Sequence, residues 1–124
     1  MIVGLGIDVS SVARQRAALE RFGERFWQRI LTENERTDLS QRSDRAVALA
    51  GRFAAKEAAA KALGGQPDVF WHDVEIRPDP RGAPQLTFLG PARAHADRLG
   101  VRRILVSITH DAGVAAAVVV LEGD

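Results

Sequence analysis

Along residues 2–9 apolar and bare positions alternate: Val3, Leu5, Ile7 and Val9 fall on one side, Gly4, Gly6 and Asp8 on the other. This period of two predicts a strand. One face is greasy. The other carries almost nothing until Asp8, so a neighbouring element can approach its backbone closely. The pattern then turns helical, with Ser10 or Ser11 placed to cap a helix running to about Phe22, where Gly23 interrupts it. A short apolar helical piece, Phe26 to Leu31, follows. Thr32-Glu33-Asn34-Glu35 then has the spacing of a capping box at the start of another helix. Ser43 or Asp44 can cap the main helix, predicted over about 45–63 and ended by Gly64-Gly65.

The second half reads differently. Val74–Arg77 and Gln85–Phe88 are predicted strands around the turn-rich stretch Pro78 to Pro84. A short helix from Pro91 to Leu99 precedes an apolar run, Arg103 to His110, which pairs with Val114–Leu121 across Asp111-Ala112-Gly113 as a hairpin. The expectation is a single α+β domain over residues 1–124, its helical N-terminal half packed on a small, largely antiparallel sheet.

Composition narrows the function classes. At 124 residues with 46% hydrophobic content, the chain is large enough to build a real core. Its 17 basic and 16 acidic residues give a net charge of +1, which argues against a dedicated nucleic-acid binder and makes any anion site local. With no cysteine there is no disulfide, zinc-thiolate site or cysteine nucleophile. No apolar run approaches the roughly 20 residues that cross a bilayer, and Met1–Asp8 lacks a basic leader, so a soluble cytoplasmic protein is the expectation.

The charged residues of the main helix stand among small ones: Arg52, Lys56, Glu57 and Lys61 lie between alanines and one Phe, which predicts close access from outside. Glu57 and Lys61 are four apart and share a face, either as an intrahelical ion pair worth about 0.3–0.5 kcal/mol or as part of a site. Asp8 either caps the first helix or serves as an oxygen ligand. Together, Asp8 and Glu57 suit Mg²⁺, which takes one or two protein carboxylates and completes its shell with water and phosphate oxygens, and Lys61 would then neutralise the phosphate. His110 ends the Ile104, Val106, Ile108 face of its strand, as a structural residue or a phosphate contact, with Ser107 and Thr109 on the opposite face. His72 and His95 read as surface residues without partners, and no zinc-ligand spacing joins the three histidines. Arg14 and Arg21, seven apart on one helical face, are either a solvated surface or a dock for an acidic protein.

Several segments taken in order carry a resemblance that spans the chain: Gly6-Ile7-Asp8-Val9, Leu31 to Glu35, Arg52-Phe53-Ala54-Ala55-Lys56-Glu57-Ala58 through Gly64, Gly82-Ala83-Pro84, and Val106 to His110. They resemble the bacterial holo-[acyl-carrier-protein] synthase family of 4′-phosphopantetheinyl transferases. The resemblance implies Mg²⁺-dependent transfer of phosphopantetheine from coenzyme A to a serine of apo acyl carrier protein, with release of adenosine 3′,5′-bisphosphate, in support of fatty acid biosynthesis. It implies Asp8 and Glu57 as metal ligands, and Lys61 at the diphosphate or leaving group. Arg52 would lie near the 3′-phosphate, His110 and Ser107 by the nucleotide's phosphates, Gly82 and Pro84 near the nucleotide, and Arg14 and Arg21 against the carrier protein. It also implies a homotrimer with sites at subunit interfaces. Glu57 is the candidate base for the serine proton. Ala83 stands where the family often has a basic residue, a contact that Arg81 would have to supply, and Thr109 replaces a serine common before the histidine. A non-catalytic module that binds a nucleotide or an acidic protein through Arg14, Arg21, Arg52 and Lys61 is the competing reading.

Overall fold

Strand β1 (Ile2–Ser11) leads directly into helix α1 (Val12–Phe22), and the joint is capped by Ser11, whose Oγ accepts the Arg14 amide at 3.2 Å. Asp8 is therefore not a helix cap. The computed structural model describes residues 1–65 and 71–124. Gly23, with φ +63°, ends α1 and opens α2 (Glu24–Ile30), a conformation that costs glycine little. Thr32 and Glu35 form the expected capping box at α3 (Glu33–Leu39). Asp44 accepts from the amides of Ala46 and Val47 and starts α4 (Arg45–Ala62). A 3-10 turn, Trp71–Asp73, leads into β2 (Val74–Pro78), which pairs antiparallel with β3 (Pro84–Phe88). Helix α5 (Gly90–Arg98) and the hairpin of β4 (Val101–Asp111) and β5 (Val114–Gly123) complete the fold. The long strands form one antiparallel sheet in the order β1-β5-β4, separate from the two-stranded β2-β3 sheet.

Helix α4 lies across this sheet and is the axis of the core. Its Ala54, Ala55, Ala58, Ala59 and Ala62 are buried with Val74, Ile76 and Phe88 from the smaller sheet and Ala117, Val119 and Leu121 from β5. Small residues on α4 bring helix and sheet backbones together, and β1 takes this furthest. A Cβ placed on Gly6 would run into the carbonyl oxygen of Ala58, and one on Gly4 into that of Ala62. The bare face of β1 is thus the face packed on the helix. Its aliphatic face points outward, with Leu5, Ile7 and Val9 63–65% exposed. A second cluster, Trp27, Ile30, Leu31, Leu39 and Leu49, holds α2 and α3 against the same helix.

Two expectations about side chains need correction. Lys56 is not accessible: it is buried, donating to Glu35 Oε1 at 2.6 Å and to the Trp71 carbonyl at 2.9 Å. His95 is not a partnerless surface residue either, since its half-buried ring bonds the Leu63 carbonyl at the end of α4 at 2.9 Å. His72 is exposed, as expected, but its Nε2 lies 2.7 Å from the Gln28 carbonyl.

Candidate active site

Because Gly4 and Gly6 seat β1 on the backbone of α4, the next residue on that face, Asp8, arrives beside the helix's charged flank. Lys61 Nζ donates to Asp8 Oδ1 at 2.9 Å and to the Ile7 carbonyl at 3.0 Å. The lysine's ion pair therefore crosses from helix to strand and is not the intrahelical pair with Glu57. Glu57, one turn earlier, is half-buried. Burial raises its pKa above the ordinary carboxylate value, the negative charge of Asp8 raises it further, and Lys61 offsets part of this. The structure thus brings Asp8, Glu57 and Lys61 together, two carboxylates repelling each other around one exposed ammonium.

The donor set fits Mg²⁺. It offers hard carboxylate oxygens, and its net repulsion is the kind a small dication relieves. No cluster of three or more His, Cys, Asp or Glu side chains forms among the described residues. An ion held here would rely on two protein carboxylates, with water and phosphate oxygens filling the remaining positions.

A second cluster lies on the neighbouring face of α4. A cavity of about 280 Å³ is lined by Arg42, Asp44, Gly51, Arg52, Ile108 and His110, among others. It unites two residues singled out from sequence, Arg52 and His110, from segments more than fifty positions apart. The Arg52 Nε is buried without a hydrogen-bond partner among the described residues. Burial lowers the Arg52 pKa, Glu35 opposes this, and the positive charge of Arg42 adds to the lowering. A half-buried arginine that shares a cavity with a second arginine and a histidine is suited to an anion. Arg42 escaped the sequence reading because it sits in a polar stretch between helices, where pattern carries no information.

The remaining candidates stay apart from these clusters within one chain. Gly82, Ala83 and Pro84 occupy the turn between β2 and β3, where Asp79 Oδ1 accepts from the amides of Arg81 and Ala83 and Gly82 takes φ +88°. Ser107 is exposed on the outward face of β4, opposite in phase to Ile108 and His110. Arg14 and Arg21 are exposed on α1, and neither forms an ion pair among the described residues. Arg21 stacks near the Phe22 ring at 5.2 Å and lines a groove with Phe22, Arg25, Phe26 and Arg29.

Comparison with known proteins shows the family and the fold. Residues 4–119 match the model of the 4′-phosphopantetheinyl transferase superfamily. A holo-[acyl-carrier-protein] synthase of Solidesulfovibrio magneticus is 54% identical over 125 residues, covering 99% of this chain and 100% of that protein. The crystal structure of the holo-[acyl-carrier-protein] synthase of Neisseria meningitidis superposes with a TM-score of 0.89 at 35% identity, covering 98% of this chain and 99% of that one. That of Bacillus anthracis, in complex with CoA (3′,5′-ADP), gives 0.80 at 38% identity over 100% and 99%. With matches over nearly its full length and a shared fold, the chain belongs to the 4′-phosphopantetheinyl transferase superfamily, as a member of its holo-[acyl-carrier-protein] synthase family.

Proposed function

We propose that this chain transfers 4′-phosphopantetheine from coenzyme A to a serine of an apo acyl carrier protein, in the cytoplasm and in support of fatty acid biosynthesis. The observation that carries the reading is the Asp8, Glu57 and Lys61 cluster, where two carboxylates and one exposed ammonium meet at the seam of β1 and α4. In the reaction, the serine Oγ bonds to the phosphorus that carries pantetheine. The bond from that phosphorus to the bridging oxygen breaks, adenosine 3′,5′-bisphosphate leaves with the electron pair, and the serine proton passes to a base. Mg²⁺ held by Asp8 and Glu57 would neutralise charge on the diphosphate and orient it. Lys61 would add a point charge at the leaving side. Arg52 and His110, with Arg42 in the same cavity, would hold the nucleotide's phosphates. Glu57 is the candidate base for the serine proton. Incubating an apo carrier protein with coenzyme A and Mg²⁺ should raise the carrier's mass by one phosphopantetheine. No product with several carriers and a folded enzyme would overturn the reading. Metal-independent binding of coenzyme A without turnover would favour the binding module instead.

The carrier would dock on α1. Arg14 and Arg21 would present exposed guanidinium groups, without an ion pair among the described residues, to an acidic surface, where charge chiefly speeds and orients encounter. Arg14→Glu with Arg21→Glu is expected to raise the KM for carrier on the order of tenfold at low salt, less at high salt, with the KM for coenzyme A unchanged. Steady-state kinetics with each substrate varied in turn checks this; equal effects on both substrates would refute it.

The outward face of the large sheet supports assembly as a homotrimer. Val3, Leu5, Ile7 and Val9 on β1 and Leu105 on β4 form an exposed apolar surface of a kind that monomeric domains rarely leave bare. Trimerisation would also give Ser107 and the Gly82–Pro84 turn a route to a neighbour's site. Leu5→Lys should convert the trimer to smaller species in sedimentation velocity, and an unchanged trimer would show that this face is not the interface.

A further inference from the structure

Only two of the chain's 17 basic side chains are lysines, and both sit on carboxylates. The Lys56 pair is closed, with side chains 1% and 0% exposed. The Lys61 pair is open: its side chain is 54% exposed and that of Asp8 17%. The Lys61 ammonium takes Asp8 Oδ1 and the Ile7 carbonyl, and its third N–H group has no partner among the described residues. An arginine there would grip both carboxylate oxygens with its planar fork. A lysine is a point charge on a flexible stem, able to hold one oxygen and let it go.

From this geometry, and resting on the reading of Asp8 and Glu57 as the metal pair, we propose that Lys61 is a displaceable counter-cation of Asp8. Its ammonium orients the carboxylate, a divalent cation entering between Asp8 and Glu57 expels it, and the freed ammonium becomes the charge that meets the substrate's diphosphate. The physical ground is competition. A dication at bonding distance from Asp8, about 2.0–2.1 Å for Mg²⁺, and an ammonium 2.9 Å from the same carboxylate are like charges held within a few ångströms of each other. Of the two, the exposed lysine is free to swing away. Metal loading and lysine delivery would then be one event.

The test uses the full-length protein and the metal ion alone. Mn²⁺ binding, followed by the loss of free-ion electron paramagnetic resonance signal, is expected to tighten about two- to fivefold in Lys61→Gln, the fold-change equivalent to an exposed ion pair. It should weaken in Lys61→Arg, whose charge is unchanged but whose fork covers both oxygens. Equal affinities for wild type and Lys61→Arg would mean simple repulsion and overturn the proposal. In a ¹³C-lysine spectrum, which holds only two residues' signals, Mg²⁺ should move the Lys61 Cε resonance toward that of free lysine and leave Lys56 in place. Saturable Mg²⁺ binding with an unmoved Lys61 signal overturns the proposal alone. No saturable binding of either ion overturns it together with the metal assignment.

Discussion

Asp8→Asn and Glu57→Gln are each expected to lower turnover on the order of 10²–10³-fold or more, the scale of losing one preorganised electrostatic group, while the fold survives. The reason lies in what each carboxylate costs. Glu57 is half-buried and repelled by Asp8, so its folded-state pKa is raised. A carboxyl with a raised pKa favours the fold when protonated and weakens it once ionised, so its ionised form is a liability of the metal-free protein at neutral pH. Glu57→Gln should therefore be at least as stable as wild type at pH 7. That advantage should shrink as the pH falls through Glu57's raised pKa and vanish below the ordinary glutamate range. Asp8→Asn also relieves Glu57 but gives up the Lys61 ion pair, so its stability should change little. Thermal melts at several pH values, alongside carrier-modification rates, test both halves. Wild-type-like turnover in either variant would contradict the metal assignment, and a large loss of stability in Glu57→Gln would contradict the electrostatic account. A group that weakens the empty fold and is indispensable to turnover is the pattern expected of a functional site.

Much of this site was legible because its signals are local. The period of two in β1 gave both the strand and the bare face, and the bare face explains how Asp8 comes to lie against α4: Gly4 and Gly6 have no Cβ to hold the helix off. The capping box at Thr32 and Glu35, the Asp44 cap and the β4–β5 hairpin were equally readable, because each is decided within a few residues. What escaped was decided across the chain. Nothing in the run Ala55-Lys56-Glu57 distinguishes a lysine turned inward from one turned outward; only the arrival of Glu35, twenty-one residues earlier, decides it. The partner of Lys61 was likewise ambiguous, since helical spacing offers Glu57 and only the fold brings Asp8 to 2.9 Å. Arg42 joined the Arg52 cavity from a segment without periodicity. The outward turn of the aliphatic face of β1 was hidden too, because alternation separates two faces without saying which one meets the core.

Glu35→Ala is expected to be the most damaging single change to stability, at about 3–5 kcal/mol, because it strands a buried ammonium. Glu35 is fully buried and accepts from Lys56 Nζ at 2.6 Å, the Thr32 amide at 2.8 Å and the Ile76 amide at 2.9 Å. One carboxylate thereby joins the start of α3, the middle of α4 and strand β2. Burial lowers the Lys56 pKa and the charge of Glu35 pulls it back up, so the pair holds its charges by mutual support. Against a typical total stability of about 5–15 kcal/mol, that loss leaves the variant largely unfolded or melting far below wild type. Lys56→Met leaves the carboxylate two backbone donors and the option of protonation, so it should cost less. In Glu35→Gln with Lys56→Met no charge remains to be stranded, and stability should recover most of what Glu35→Ala loses. Urea unfolding of these variants measures the coupling; a Glu35→Ala cost below about 1 kcal/mol, or no recovery in the double variant, would refute the account. The consequence reaches the active site through the helix itself. Lys56 adjoins Glu57 and lies one turn from Arg52, so the pair that fixes the rotation of α4 also sets the directions of Glu57 and Arg52. The double variant, stable but without that tether, is therefore expected to fold and still bind coenzyme A more weakly than wild type.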